Sequence, residues 1–276
     1  TKDVIMRDLL RLGKPLFVLW LLTFTMRLAA HEFWIEPLSY RLTAGENLLA
    51  QLKVGQHFKG DTQAYLPANI QRLQITVGGH SADVSSRIGD IPAINQTTAA
   101  DGLVLLSLVS NFYTLEYKEP GLFEKFLAYE GLDGILAEHR RRGLPPSGFK
   151  EAYQRFAKSL VQVGEGGGDD RLLGLGFEWL LETNPYRAAD NRIQARLYWR
   201  GVPLAAAQAR LFTRRNGQIE ETLLTTDEAG RVWFSPTPGS ELLLNAVQMQ
   251  QPSAKFPAPA GSAWISYWTT ITFALP

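Results

Sequence analysis

Four histidines and no cysteine set the range of chemistry open to this chain. Without thiolates there are no disulfides, no thiol nucleophile, no zinc finger and no iron–sulfur ligation. No nucleophile elbow, phosphate loop or His-Glu-x-x-His helix accompanies the histidines, so hydrolytic zinc chemistry has little support. The sharpest arrangement is at His31, directly after Leu28-Ala29-Ala30. If a signal peptidase cuts after Ala30, His31 becomes the first residue, and its α-amine and Nδ1 can close one chelate ring, as in histidine-brace copper sites. The amine has an ordinary pKa of about 8, so a metal can displace its proton near neutral pH. Nitrogen donors in tetragonal geometry favour Cu(II), with Ni(II) next. Phe33 occupies the third position from that amine, which excludes the square-planar motif that wants histidine there.

A brace needs a second imidazole, and His57 is the best placed. It follows a strand-like run, Leu48 to Val54, in a turn bounded by Gly55 and Gly60, where a side chain projects from the end of a scaffold. The plain alternatives are an exposed loop histidine at 57 and a polar terminus at 31. His80, after Gly78-Gly79, is a weaker candidate ligand and fits a surface turn better. Glu32 is a weaker oxygen donor or outer-shell acceptor. With Glu36 it alternates around Trp34, which predicts the wet face of an edge strand with Phe33 and Ile35 inside. His139 precedes Arg140-Arg141-Arg142 and predicts a solvated helix end. Asp169 and Asp170 lack the spaced oxygens of a calcium loop and read as a solvated linker. Trp264, Tyr267 and Trp268 read as core rather than as a sugar platform. No catalytic residue is assigned.

The elements that must position these residues are mostly strands. The 276 residues allow two ordinary domains or one large one, and 45% hydrophobic with 11% aromatic content is enough for real cores. A net charge of +1 gives no electrostatic case for nucleic acid or an anionic membrane. Residues 1–30 have the parts of a secretory signal. Arg7, Arg11 and Lys14 come first, then 12 residues from Pro15 to Met26, too few for a bilayer that needs about 20. The expectation is a periplasmic or secreted protein with no membrane span in the mature chain.

From 31 to 118 short strands predict a β-sandwich: Leu48 to Val54, a hairpin turning at Gly78-Gly79, Leu103 to Val109, and Tyr113 to Tyr117. Residues 119–176 read as a helical insert and glycine-rich linker. Phe123, Phe126, Leu127, Leu132, Ile135 and Leu136 recur at helical spacing, broken at Gly131 and Gly134. Phe149, Tyr153, Phe156 and Leu160 predict a further helix over 149–163, and four glycines among residues 164–168 predict a flexible loop. Strands return over 177–276, in a second sandwich. The fold class is therefore mainly β, two Ig-like sandwiches with helices between.

Residues 191–248 resemble carboxypeptidase-regulatory-like, transthyretin-like domains: Gly201-Val202-Pro203-Leu204, Thr226-Asp227-Glu228-Ala229-Gly230 leading to Phe234, and Pro238-Gly239 before a strand. The larger pattern is similar to periplasmic proteins grouped with the soluble region of nickel and cobalt uptake transporters. The likeness is carried by His31 to Pro37, Gly55-Gln56-His57-Phe58-Lys59-Gly60, Tyr153 to Gly164, Asn184-Pro185-Tyr186 and Ser266-Tyr267-Trp268-Thr269. It implies a pair of β-sandwiches, export and transition-metal handling within the nickel and cobalt class; the nitrogen donors themselves put copper or nickel first as the divalent ion. It also implies a membrane metal-uptake transporter as partner. The leading expectation is thus a metal-binding protein using His31 and His57. The rivals are a copper oxidase of polysaccharides built on the same brace, and a structural or adhesive envelope protein without metal.

Overall fold

A computed structural model describes residues 31–98 and 101–276. The expected signal and its cleavage site lie outside the described residues. In the first half the strands are β1 (Glu32–Pro37), β2 (Arg41–Leu42), β3 (Asn47–Gln56), β4 (Lys59–Gln63), β5 (Ile70–Val77) and β6 (His80–Asp83), then β7 (Ile94–Thr97), β8 (Gly102–Ser110) and β9 (Tyr113–Tyr117). Helices α1 (Leu122–Glu130) and α2 (Ile135–Arg141) follow, and then the long strand β10 (Phe149–Val163). The second half holds β11 (Phe177–Leu181), β12 (Ile193–Trp199), β13 (Val202–Pro203), β14 (Gln208–Arg215) and β15 (Gln218–Thr225), ending with β16 (Arg231–Phe234), β17 (Glu241–Gln250) and β18 (Ser262–Ala274).

The mainly β class holds, with sandwich packing, and the two short helices fall where the 3.6-residue pattern put them. Gly131 at φ 65° and Gly134 at φ 80° separate them. The predicted helix over 149–163 is a strand. β10 is the middle of a ten-stranded sheet with path order β15-β14-β17-β18-β10-β8-β5-β6, and both its faces are covered. Phe156 and Leu160 enter one core while Ala157, Val161 and Val163 enter another. Double burial erases the apolar–polar alternation of a half-exposed strand, and the remaining aromatics happened to match a helical period.

Three layers result. A front sheet, β1-β3-β4 with β7 on β3, covers one face of the central sheet; a back sheet, β11-β12-β13 with β16 on β12, covers the other. The back core joins Leu105, Phe156, Leu160 and Ile271 to Phe177, Trp179, Ile193 and Leu197. The front core joins Val104, Leu106, Ala157 and Val161 to Phe33, Ile35, Leu48 and Leu52. The helices close the remaining front area, where Phe123 and Leu127 meet Phe149, Met249, Trp264 and Trp268. The central sheet crosses the expected domain limits, because β10 pairs with β18 in parallel register from Lys150↔Ser262 to Ser159↔Thr272.

Three polar readings are corrected by this packing. His139 is buried, accepting from Trp264 Nε1 at Nδ1 (3.0 Å) and donating from Nε2 to the Pro145 carbonyl (2.9 Å). Asp170 is buried on Lys158 Nζ (2.9 Å), which also meets Glu178 (3.2 Å). The glycine-rich segment is not a loose linker either, since Gln162 Nε2 donates to the carbonyls of Gly164 and Gly166. No helix among the described residues is long and apolar enough to cross a membrane.

Candidate metal centre

β1 lies across the front of the central sheet, fastened where Thr270 and Thr272 donate to the carbonyls of Phe33 and Ile35 (2.7 and 2.6 Å). Its even-numbered side chains point toward β14 and β17. Glu36 meets Arg214 (3.0 Å), and Trp34 packs with Phe58, Phe212 and Leu243. Glu32, expected on a wet face, is instead 2% exposed. The reason is tertiary: β1 is an edge strand in its own sheet, but a second sheet covers that face.

The β3–β4 hairpin brings His57 to the same end. Register pairs Glu32 with Gly55 and Gly55 with Gly60, so His31 and the turn residues His57 and Phe58 stand at one edge of the front sheet. Both turn residues are left-handed, His57 at φ 53° and Phe58 at φ 57°. Such a two-residue turn prefers asparagine and glycine, and a larger side chain there costs about 1 kcal/mol. Phe58 offsets this by full burial, with its ring 5.6 Å from Trp34 and the Arg214 guanidinium 4.2 Å above it. Gly60 is required by close approach, since a Cβ there would stand 2.7 Å from the Trp34 ring.

His57 is held by a polar relay. Its Nδ1 lies 3.0 Å from Glu221 Oε2 on β15, and Arg210 on β14 binds the other oxygen of Glu221. Arg210 also donates to the Tyr129 carbonyl at the end of α1. The His57 side chain is 57% exposed. Glu32, Glu130 and Glu221 all lie within electrostatic reach of Arg210, and His57 acts on Glu32. Burial pushes the Glu32 carboxyl up to about 7, against the pull of His57 and Arg210. Burial pushes Glu130 up to about 8, with Arg210 opposing and the Glu32 and Glu221 charges adding.

On the central sheet beneath, Arg210, Asn245 and Thr270 are in register across β14, β17 and β18. Asn245 is fully buried with neither amide atom partnered, and one oxygen of Glu32 is buried without a donor. Arg155 donates to the His31 carbonyl (3.1 Å), and burial lowers its guanidinium from the usual range.

The structure therefore gathers His31, Glu32 and His57 at one end of the front sheet. His80 is elsewhere, on β6 at the far edge of the central sheet from β15. Seven strand spacings separate those edges, roughly 30 Å. Arg210, Glu221, Glu130 and Asn245 were not anticipated. Arg210 and Asn245 did leave a signal, each being a polar residue inside an apolar strand (Ala-Arg-Leu-Phe and Leu-Leu-Asn-Ala). Among the described residues no three of His, Asp and Glu converge on one metal position.

Comparisons with known proteins give one partial relative and several distant structures. A LexA repressor from Colwellia psychrerythraea (strain 34H / ATCC BAA-681) is 34% identical over 87 residues, which is 31% of this chain and 41% of the repressor. The chain thus spans about two fifths of that relative's length. Among solved structures, a tetra-tandem repeat from the extending region of a large adhesion protein aligns at 10% identity and TM-score 0.22, over 88% of this chain and 49% of its own. The D0–D1 region of intimin aligns at 12% identity and TM-score 0.22, over 87% and 97%. A Salmonella alpha-2-macroglobulin aligns at 13% and 0.22, over 88% and 15%. A family model matches residues 28–250, most of the chain as far as the end of β17, so the protein belongs to the family described as a domain of unknown function, DUF4198.

Proposed function

We propose that this protein is an exported binder of a divalent transition-metal ion of the copper, nickel and cobalt class, accessory to a membrane uptake system. The ion is held by His57 together with the amine and imidazole of His31 after processing, with Glu32 beside them. The observation that carries this reading is the orientation of His57. A ligand histidine ordinarily gives one ring nitrogen to a carboxylate and offers the other to the metal. Glu221, itself braced by Arg210, takes Nδ1, which leaves Nε2 as the nitrogen to bind with on an exposed ring. Placing His31 at the same sheet edge supports the second ligand.

The test is calorimetric titration of Cu(II), Ni(II) and Co(II) into protein whose first residue has been verified as His31. One ion should bind per chain. His57→Ala should abolish binding, and Glu221→Ala should weaken it about 10–100-fold, the usual cost of losing an outer-shell partner. Equal affinity in a chain carrying extra residues before His31 would overturn the role given to the amine.

A further inference from the structure

On the opposite face of the central sheet from His31 and His57 lies a cleft of about 720 Å³. This is the size range of small-molecule sites, roughly 300–1,000 Å³. Its floor is the back face of the central sheet where the back sheet no longer covers it, including Gln74, Gln154, Phe156 and Tyr267. One wall is the segment Gly174-Leu175-Gly176, and Trp199 and Arg200 at the end of β12 complete it. Arg200 sits in the left-handed region at φ 53°, which turns its side chain back over the aromatics.

Two arginines line this cleft, and among the described residues neither meets a carboxylate. Arg72 uses Nη2 on the carbonyls of Leu173 and Gly174 (3.4 and 3.2 Å), while its Nε is out of water with no acceptor. Arg200 lies against rings, 3.3 Å from the centre of Phe256 and 4.6 Å from Trp199, and its Nη2 reaches Tyr267 Oη at 3.5 Å. The acidic side chain in the lining, Asp83, already accepts from Gln74 Nε2 (3.0 Å). Guanidinium groups whose donors meet only neutral acceptors favour a planar anion, which they take through paired N–H bonds. The aromatic wall favours a flat body behind that anion.

We propose that this cleft binds a small carboxylate carried on an aromatic ring, with the anion facing Arg72 and Arg200 and the ring against Trp199 and Tyr267. The site is independent of the metal reading, because it lies on the other face of the central sheet.

The test uses the full chain and three probes in calorimetry: 2-naphthoate, its neutral amide 2-naphthamide, and cellobiose. The acid should bind one to one and at least tenfold more tightly than the amide, with tryptophan fluorescence quenched in parallel. Arg200→Gln should erase the preference for acid over amide, with circular dichroism and melting recorded on the same sample to confirm the fold. Arg72→Gln should act likewise; because it also releases the 173–174 carbonyls, Arg200→Gln carries the decision if Arg72→Gln melts early. The proposal is overturned by equal affinity for acid and amide, by no saturable naphthoate binding, by cellobiose binding more tightly, or by an Arg200→Gln variant that keeps full preference.

Discussion

At the scale of single residues, His57 combines a strained backbone with an exposed ring. Strain kept at an exposed position points to function when nothing in the core requires the side chain. His57→Gly relaxes the left-handed turn and removes an ion pair more than half exposed at the histidine, a contact worth about 0–1 kcal/mol, together with loose edge contacts to the Tyr129 and Phe212 rings (6.4 and 6.0 Å). Its unfolding free energy should stay within about 0.5 kcal/mol of the parent, or rise, while metal affinity disappears. Denaturant unfolding and titration on the same sample check this. A stability loss beyond about 1.5 kcal/mol would make His57 a structural residue.

The buried carboxyls give a pH signature. Glu32 and Glu130 rise from 4.5 to about 7 and about 8, so the folded chain holds protons that the unfolded chain has released. Their contribution to stability is complete below about pH 4.5 and is lost as pH rises through 7 to 8. Glu130→Gln should flatten that decline and stabilise the protein at pH 9 by on the order of 5 kcal/mol, with little change at pH 4. Melting temperature against pH for both proteins tests it, and parallel curves would refute it.

At the scale of elements, β10 carries a deeply buried cation, Lys158. Lys158 sits on its back face, buried between Asp170 and Glu178, with the Arg171 carbonyl as a further acceptor. Asp170 in turn accepts from the backbone of Arg171 and Leu181, and Glu178 from Leu173 and Leu175. The set ties residues 170–181 to the middle of the sheet. Removing one member of a buried ion group leaves the others uncompensated. Lys158→Met should therefore cost about 3–5 kcal/mol in urea denaturation, although Met fills much of the same volume. A cost below about 1 kcal/mol would show that the carboxyls are neutral without the lysine.

At the scale of the whole molecule, the parallel pairing of β10 with β18 makes the two halves one cooperative body. The back core mixes Leu103, Leu105 and Val109 from the first half with Leu242, Leu244 and Ile271 from the second. Calorimetric unfolding should show one peak, with calorimetric and van't Hoff enthalpies equal. Two separated transitions would show that the two halves unfold independently.

Much of this was legible in the residues themselves. Strands whose one face is wet, such as β3, alternate visibly, and paired glycines mark the β5–β6 turn. The helix breaks at Gly131 and Gly134 follow from local backbone preference alone. His57 at a hairpin tip is local chemistry too. What the chain's order could not reveal is which faces are covered twice. Burial of Glu32, His139 and Asp170, the strand at 149–163, and the relay from Arg210 through Glu221 to His57 all depend on contacts between residues more than a hundred positions apart, or on a third layer of sheet. Periodicity reports one exposed face and one buried face; when both are buried the pattern vanishes, and only the tertiary structure decides the outcome.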